Sequence, residues 1–282
     1  MEVLFPYLNG GDLNSRPDCS ASRWVVDFNE RSQEEAMRYE LPWRYLFNEV
    51  RLERLSKNAE KYPRMVNEWW KFYNTRPAMR KAIASLNEVL VVAQTSNTLM
   101  PARVSARQVL SHMLVVFAEE SFVFQAVLSS SIHQSWVVRY GASMRGDSRY
   151  IPSDVFDTFP RPEPTPELEA IGRTLDTERR EIMLRRDLGL TKLYNLVNDP
   201  GLEAGTDPDV DRMRAIHVEL DAAVAAAYGW EDLDLTHGFH TYRKMTRWTL
   251  SPATRAEILD RLLEENHRRA AAEAAAAAAS GQ

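Results

Sequence analysis

Four prolines fall within seven residues of this chain, at positions 160, 162, 164 and 166. Proline lacks a backbone N–H and fixes φ, so this density stops regular secondary structure and stiffens the chain. Compact β-branched runs precede the prolines, whereas helical periodicity dominates after them. The sequence therefore predicts an α+β fold with a mixed domain over 1–162, a helical domain over 163–270 and a low-complexity alanine-rich tail over 271–282.

Before the prolines, the strand candidates are RWVVDF, NEVLVVAQ and HMLVVFA. Phe124, Leu128 and Ile132 recur every fourth residue and predict a helix, although the following WVVRY would also suit a strand. The first fifty residues are otherwise expected to be rich in loops. Gly10-Gly11 is interpreted there as a turn, because no strand is predicted before it and no helix after it.

After the prolines, three segments carry helix signals. The first begins with Thr165 as its N-cap, followed by Pro166, and the last begins with Ser251 as its cap. The middle segment ends at Gly229 and carries one apolar stripe, formed by Met213, Ile216, Leu220, Val224 and Ala227. The alanine-rich end is expected to fray.

The bulk composition is that of an ordinary globular protein, with 44% hydrophobic and 27% charged residues among 282. No apolar run reaches the length of a membrane span and no signal peptide is recognisable, so a cytoplasmic protein without a membrane partner is expected. The single cysteine, Cys19, excludes an intrachain disulfide.

The net charge of −5 hides a basic block at residues 51–81, which holds nine Lys or Arg against three Asp or Glu. A local basic surface on an acidic protein is typical of a site for a polyanion, although a solvated helix face has the same pattern. Trp69 and Trp70 within it are interpreted as core anchors. The candidate phosphate-binding residues are Arg64, Lys71, Arg76, Arg80 and Lys81.

Signals for catalysis are weak. The sequence lacks the P-loop, HExxH and GxSxG motifs. His237 and His240 in HGFH suggest a metal-dependent hydrolase only as a minor alternative, because the glycine between them favours a structural turn. No catalytic residue and no metal ligand is therefore assigned.

Residues 139–149, RYGASMRGDSR, favour ligand binding over catalysis. Arginine guanidinium groups match guanine edges and phosphates, while the glycines and serines allow close approach of the backbone. Asp147 would accept a hydrogen bond from a cytosine amine or orient an arginine. The alternative is a surface loop whose arginines are incidental.

Four segments together resemble a known family: PYLNGGDLNSRPDCSASRWVVDF, NEWWKFYNTRPAMRKAI, VLSSSIHQSW and YGASMRGDSRYIPSDVFDTFPRP. In this order they resemble the target-recognition region of large DNA methyltransferases, including MmeI-like type IIL and type IIG restriction-modification enzymes and phage-defence adenine methylases. LTKLYNLVND, MRAIHVELDAAVAAAYGWEDLDL and HGFH resemble the helical region that follows. The resemblance implies that base edges are read by Arg139, Tyr140, Ser143, Arg145, Asp147 and Arg149.

In that family a separate domain binds S-adenosylmethionine and methylates a flipped adenine with an Asn-Pro-Pro-aromatic motif. This chain has no Pro-Pro dipeptide and no cofactor-binding glycine motif, so no cofactor is expected in it and it is expected to be inactive alone. The resemblance implies two partners, double-stranded DNA and a methyltransferase catalytic domain or subunit. The alternative hypothesis is a protein-docking or scaffold module, a degraded remnant without DNA binding of its own.

Overall fold

The computed structural model describes residues 2–144, 147–242 and 245–280, and its mixture of helices and small sheets confirms the α+β class. The first elements are two strands and six short helices: β1 (Leu4–Leu8), α1 (Gly10–Ser15), β2 (Trp24–Val26), α2 (Gln33–Met37), α3 (Glu40–Glu49), α4 (Arg51–Leu55), α5 (Pro63–Asn67) and α6 (Pro77–Ile83). Pro63 and Pro77 each begin a helix, where the missing N–H costs no hydrogen bond.

The interpretation of Gly10-Gly11 as a turn is wrong. This pair opens α1 directly after β1, and the side chain of Asn9 caps the helix by accepting from the backbone N–H of Asp12 at 2.9 Å. Pro6 made the strand hard to predict, because proline is rare inside sheets. In the structure the neighbouring strand β6 (Val109–Leu110) pairs only with Tyr7 and Leu8, so the missing N–H of Pro6 breaks no bond in that ladder.

A second group of elements forms the centre of the molecule. It comprises β3 (Glu88–Ala93), β4 (Thr95–Ser96), β5 (Ala102–Ser105), β6, β7 (Leu114–Phe117), α7 (Phe122–Ser129) and α8 (Ser131–Tyr140). The antiparallel order β5-β3-β7 buries Val89 to Ala93, which confirms two of the predicted strands. The predicted helix is two helices, because Ser130 adopts an extended ψ of 152° and caps α8 through the N–H of His133. WVVRY is helical.

The remaining elements are β8 (Ala142–Met144), β9 (Asp147–Arg149), α9 (Pro152–Val155), α10 (Pro166–Arg186), α11 (Leu190–Val197), α12 (Pro208–Ala227), β10 (His237–Tyr242), β11 (Met245–Leu250) and α13 (Pro252–Ser280). The caps at Thr165 and Ser251 are confirmed by their hydrogen bonds to the N–H groups of Leu168 and Thr254. The alanine-rich tail is helical up to Ser280, because alanine has the highest helix propensity, and its fraying stays a prediction. Within the described ranges, no helix is both long and apolar enough to cross a membrane.

The parts before and after the prolines share one hydrophobic core, which includes Leu128 of α7 and Leu175 of α10. These two helices pack so closely that a Cβ placed on Gly172 would lie 2.0 Å from the carbonyl oxygen of Phe122. Glycine at this position therefore allows the backbones to approach each other. The division of the chain at residues 162 and 270 stays a prediction.

Candidate nucleic-acid interface

The arginine-rich stretch after α8 forms an antiparallel two-stranded ribbon, β8–β9, extended by β4 in the order β4-β9-β8. Gly141 makes the turn from helix to strand possible. A Cβ there would lie 2.4 Å from the carbonyl oxygen of Val137 and 3.2 Å from that of Arg149. The stretch is thus a paired ribbon rather than an irregular loop.

Arg139 and Tyr140 lie at the end of α8, beside the ribbon. Arg139 is exposed, and its guanidinium lies 5.9 Å from the ring centroid of Tyr140. The Tyr140 ring lies 4.3 Å from that of Trp136, whose Nε1–H donates to the hydroxyl of Thr158. The buried Trp136 therefore positions the half-buried Tyr140, which lies beside the exposed Arg139.

The other predicted readout residues belong to the ribbon itself. Ser143 and Asp147 occupy β8 and β9, where Ser143 pairs with Ser148. Arg145 lies outside the described residues. Arg149 is half-buried, and its buried Nε has no hydrogen-bond partner among the described residues. The structure thus brings five of the six predicted residues to one ribbon and its adjoining helix end.

A buried histidine supports the base of this ribbon. His133 Nδ1 lies 3.1 Å from the carbonyl oxygen of Leu128, so it carries the proton, and Nε2 accepts from the Tyr150 hydroxyl at 3.2 Å. Burial lowers the pKa of His133 to about 4 and raises that of Tyr150. Tyr150 follows β9 directly, so a neutral histidine anchors the ribbon to the core.

Two cations of the basic block are neutralised within the chain. Arg64 contacts Glu30 at 2.9 Å and Glu68 at 2.8 Å, and Lys71 lies 2.9 Å from Glu68. Lys71 is also buried. Trp69 and Trp70 lie under this network in a cluster with Trp43, which confirms their role as core anchors.

The other three phosphate candidates lie at α6. Arg80 pairs with the buried Asp27 at 2.7 Å, and Lys81 is exposed. Arg76 precedes Pro77 in the left-handed conformation (φ 53°) and donates to the carbonyl oxygen of Ser111 at 3.1 Å. Burial lowers the pKa of Arg76, and the charge of Arg80 lowers it further. Among the described residues, none of the five candidates forms a hydrogen bond with the ribbon.

Sequence reasoning missed a cleft of about 610 Å³ that is lined by Arg76, Arg80, Arg54 and Arg107. Arg54 belongs to the basic block but was not singled out there, and Arg107 lies outside the block. The only signal for the floor of the cleft was the alternation of Phe5 and Tyr7 in LFPYL, which places both on one face of β1.

The structural turn predicted at HGFH is wrong. His237 and His240 both lie in β10, where an odd spacing places them on opposite faces. His237 instead lies 2.8 Å from Asp221. In the part of the chain that the structure describes, no group of three or more His, Cys, Asp or Glu residues is placed to hold a metal ion.

Comparison with known proteins agrees with this architecture. The family model for the MmeI target recognition domain matches residues 19–163, which is more than half of the chain and includes both the basic block and the ribbon. The chain belongs to the MmeI target recognition domain family. No curated protein matches.

The fold of this family member is also similar to a solved structure, the type IIL restriction-modification enzyme MmeI in complex with DNA. The TM-score is 0.65 at 18% sequence identity, and the match covers 96% of this chain and 31% of that one. The similarity therefore extends beyond the matched family region into the helices after it. The chain spans about a third of the length of that enzyme.

Proposed function

We propose that this chain is the DNA target-recognition part of a site-specific DNA adenine methyltransferase of the type II restriction-modification class. It binds duplex DNA, while a catalytic domain outside this chain binds S-adenosylmethionine and methylates adenine. The observation that carries the proposal is the family match over residues 19–163. The MmeI structure of similar fold, which contains DNA, supports duplex DNA as the ligand.

In this proposal the β8–β9 ribbon reads base edges. A two-stranded ribbon fits the major groove, where arginine forks pair with guanine and short polar side chains contact other bases. The readout residues are Arg139, Tyr140, Ser143, Arg145, Asp147 and Arg149. Of these, Arg139 gives the clearest test, because its side chain is exposed and its substitution leaves the core intact.

The phosphate contacts come from the basic block, but its members differ in availability. Lys81 is exposed and can approach DNA directly. The other cations are already paired with carboxylates: Arg64 with Glu30, Lys71 with Glu68 and Arg80 with Asp27. Because a neutralised cation releases fewer counterions, Lys81 contributes more to the salt dependence of binding than Arg64 does.

Fluorescence anisotropy with labelled duplexes, recorded over a range of salt concentrations, tests the proposal. Wild-type protein is expected to bind with a strong salt dependence. Arg139→Gln is expected to weaken binding to the preferred sequence about tenfold by loss of a bidentate contact. Lys81→Gln is expected to weaken binding to all sequences and to reduce the salt slope by about 1.

Arg44→Gln is the matched control, because Arg44 is an exposed arginine on α3, far along the chain from the ribbon. It removes the same charge and should leave site preference unchanged. The proposal fails if no duplex binds at low salt, with or without a methyltransferase partner. In that case a protein-docking role would take its place.

A further inference from the structure

The arginine cleft lies on one face of the three-stranded sheet β2-β1-β6. Its floor includes Phe5 and Tyr7 of β1 and Val109 of β6, and Tyr7 pairs with Val109 in the sheet. Residues 72–76 and α6 form its other wall. The volume of about 610 Å³ is in the range of pockets that bind small molecules and cofactors.

The charge of this cleft is positive. Arg54, Arg76, Arg80 and Arg107 line it, and its described lining includes no carboxylate side chain. Arg80 is paired with Asp27, which lies behind it, but Arg76 donates only to backbone carbonyls among the described residues. A half-buried arginine beside a second arginine is a costly arrangement, and an anion in the cleft would offset that cost.

Two buried polar atoms at the cleft have no hydrogen-bond partner in the described part of the chain. They are Nη1 of Arg54 and Oδ1 of Asn29, and both residues line the cleft. One is a donor and the other an acceptor. Buried groups of this kind are normally satisfied, so Arg54 and Asn29 keep unused hydrogen-bonding capacity beside the cleft.

The lining of the cleft also includes apolar side chains, four of which are aromatic. Phe5, Tyr7, Phe72 and Tyr73 line the same cleft as the four arginines. Aromatic faces stack on nucleobases without sequence preference, and arginine forks bind phosphate. The combination is typical of recognition of a planar ring joined to a phosphate.

We propose that the arginine cleft binds a nucleoside 5′-phosphate, with the phosphate on Arg54, Arg76 and Arg107 and the base against the aromatic side chains, so that Arg54 and Arg76 of the basic block serve this site and not the duplex backbone. Two sources supply this chemistry: a free nucleotide, or a nucleotide extruded from bound DNA. Binding of a free nucleotide does not depend on duplex recognition by the β8–β9 ribbon.

Equilibrium dialysis of the full chain against labelled AMP tests the site directly. AMP is expected to bind saturably. Inorganic phosphate is expected to displace it more effectively than adenosine does, because the arginines bind the phosphate group. Arg54→Gln and Arg107→Gln are each expected to weaken AMP binding about tenfold, because each removes a charged hydrogen bond. Arg44→Gln, outside the cleft, should leave AMP affinity unchanged.

Arg107 is exposed, and the one described hydrogen bond of its side chain goes to Asn87 at 3.4 Å, so Arg107→Gln keeps the test independent of folding. A competition arm separates the two sources. If a duplex with one bulged adenosine displaces AMP better than a fully paired duplex, and Arg107→Gln removes the difference, the ligand is extruded DNA. If neither duplex competes, the ligand is the free nucleotide. If both duplexes compete equally, the cleft arginines bind the duplex backbone and the nucleotide site is refuted.

The inference is overturned if neither AMP nor the bulged duplex binds in a way that depends on Arg54 and Arg107. This result would leave duplex recognition by Arg139 untouched, because that test uses fully paired DNA. Conversely, AMP binding together with failed duplex binding would support the cleft and refute the proposed function.

Discussion

A buried ion pair is expected to hold the last third of the chain together. Asp221 of α12 is fully buried and accepts from the N–H of Ser131 at 2.7 Å and from Nε2 of His237 at 2.8 Å. Nδ1 of His237 lies 2.8 Å from the carbonyl oxygen of Leu235. Because both ring nitrogens face acceptors, both carry protons and His237 is an imidazolium.

Asp221→Ala is the perturbation that tests this reasoning. It leaves the buried imidazolium and the N–H at the start of α8 without their acceptor. Removing one partner of a buried pair costs about 3–5 kcal/mol of the free energy of unfolding. Asp221→Asn is the matched control, since it keeps the volume and one acceptor, and its loss should be smaller. The measurement is urea unfolding followed by circular dichroism, with linear extrapolation.

The pH dependence gives a second readout. Burial disfavours the charged ring, but the hydrogen bond and charge of Asp221 outweigh burial and raise the pKa of His237. A raised folded pKa gives stabilisation that is complete below the ordinary pKa of about 6.5 and is lost as pH rises through the folded value. The difference in stability between wild type and Asp221→Ala should therefore shrink from about pH 6 to alkaline pH. A loss below about 1 kcal/mol, or a difference that grows with pH, would refute the ion pair.

Two further effects on stability are expected. Gly172→Ala should lower the free energy of unfolding by about 3 kcal/mol, because its Cβ would meet the Phe122 carbonyl oxygen. Gly201→Ala is the control, since only a flexible Asp199 side chain lies near it, and equal losses in thermal unfolding would contradict the close approach. Burial lowers the pKa of His133 and of His217 to about 4, so stability should fall as pH drops from about 6.5 to 4, by about 3 kcal/mol per histidine. His133→Asn should flatten this dependence in urea titrations, and an unchanged slope would count against a neutral buried ring.

Local signals predicted much of the fold correctly. The caps at Thr165 and Ser251 depend on neighbouring residues alone. β1 was missed because Pro6 lies inside it, and the strand conformation of HGFH was missed because its partner β11 supplies every ladder bond. Strand formation depends on such partners more than helix formation does.

The candidate site, like the fold, was predictable from the sequence only in part. Composition alone located the basic block and the arginine-rich stretch, and the family resemblance, which the match over 19–163 confirms, gave them a role. The availability of each cation was not predictable. Arg64 is neutralised by Glu30, which lies 34 residues before it, whereas Arg107 joins Arg54 in one cleft from outside the block.

The sequence by itself determined where α10 and α13 begin and which stretches carry positive charge. These properties depend on backbone sterics, local hydrogen bonds and composition, all of which act over a few residues. Only the tertiary structure decided which charges are neutralised and which converge on a common cleft. Coulomb interactions and hydrogen bonds depend on distance in space, and only the folded chain places distant residues within 3 to 4 Å of each other.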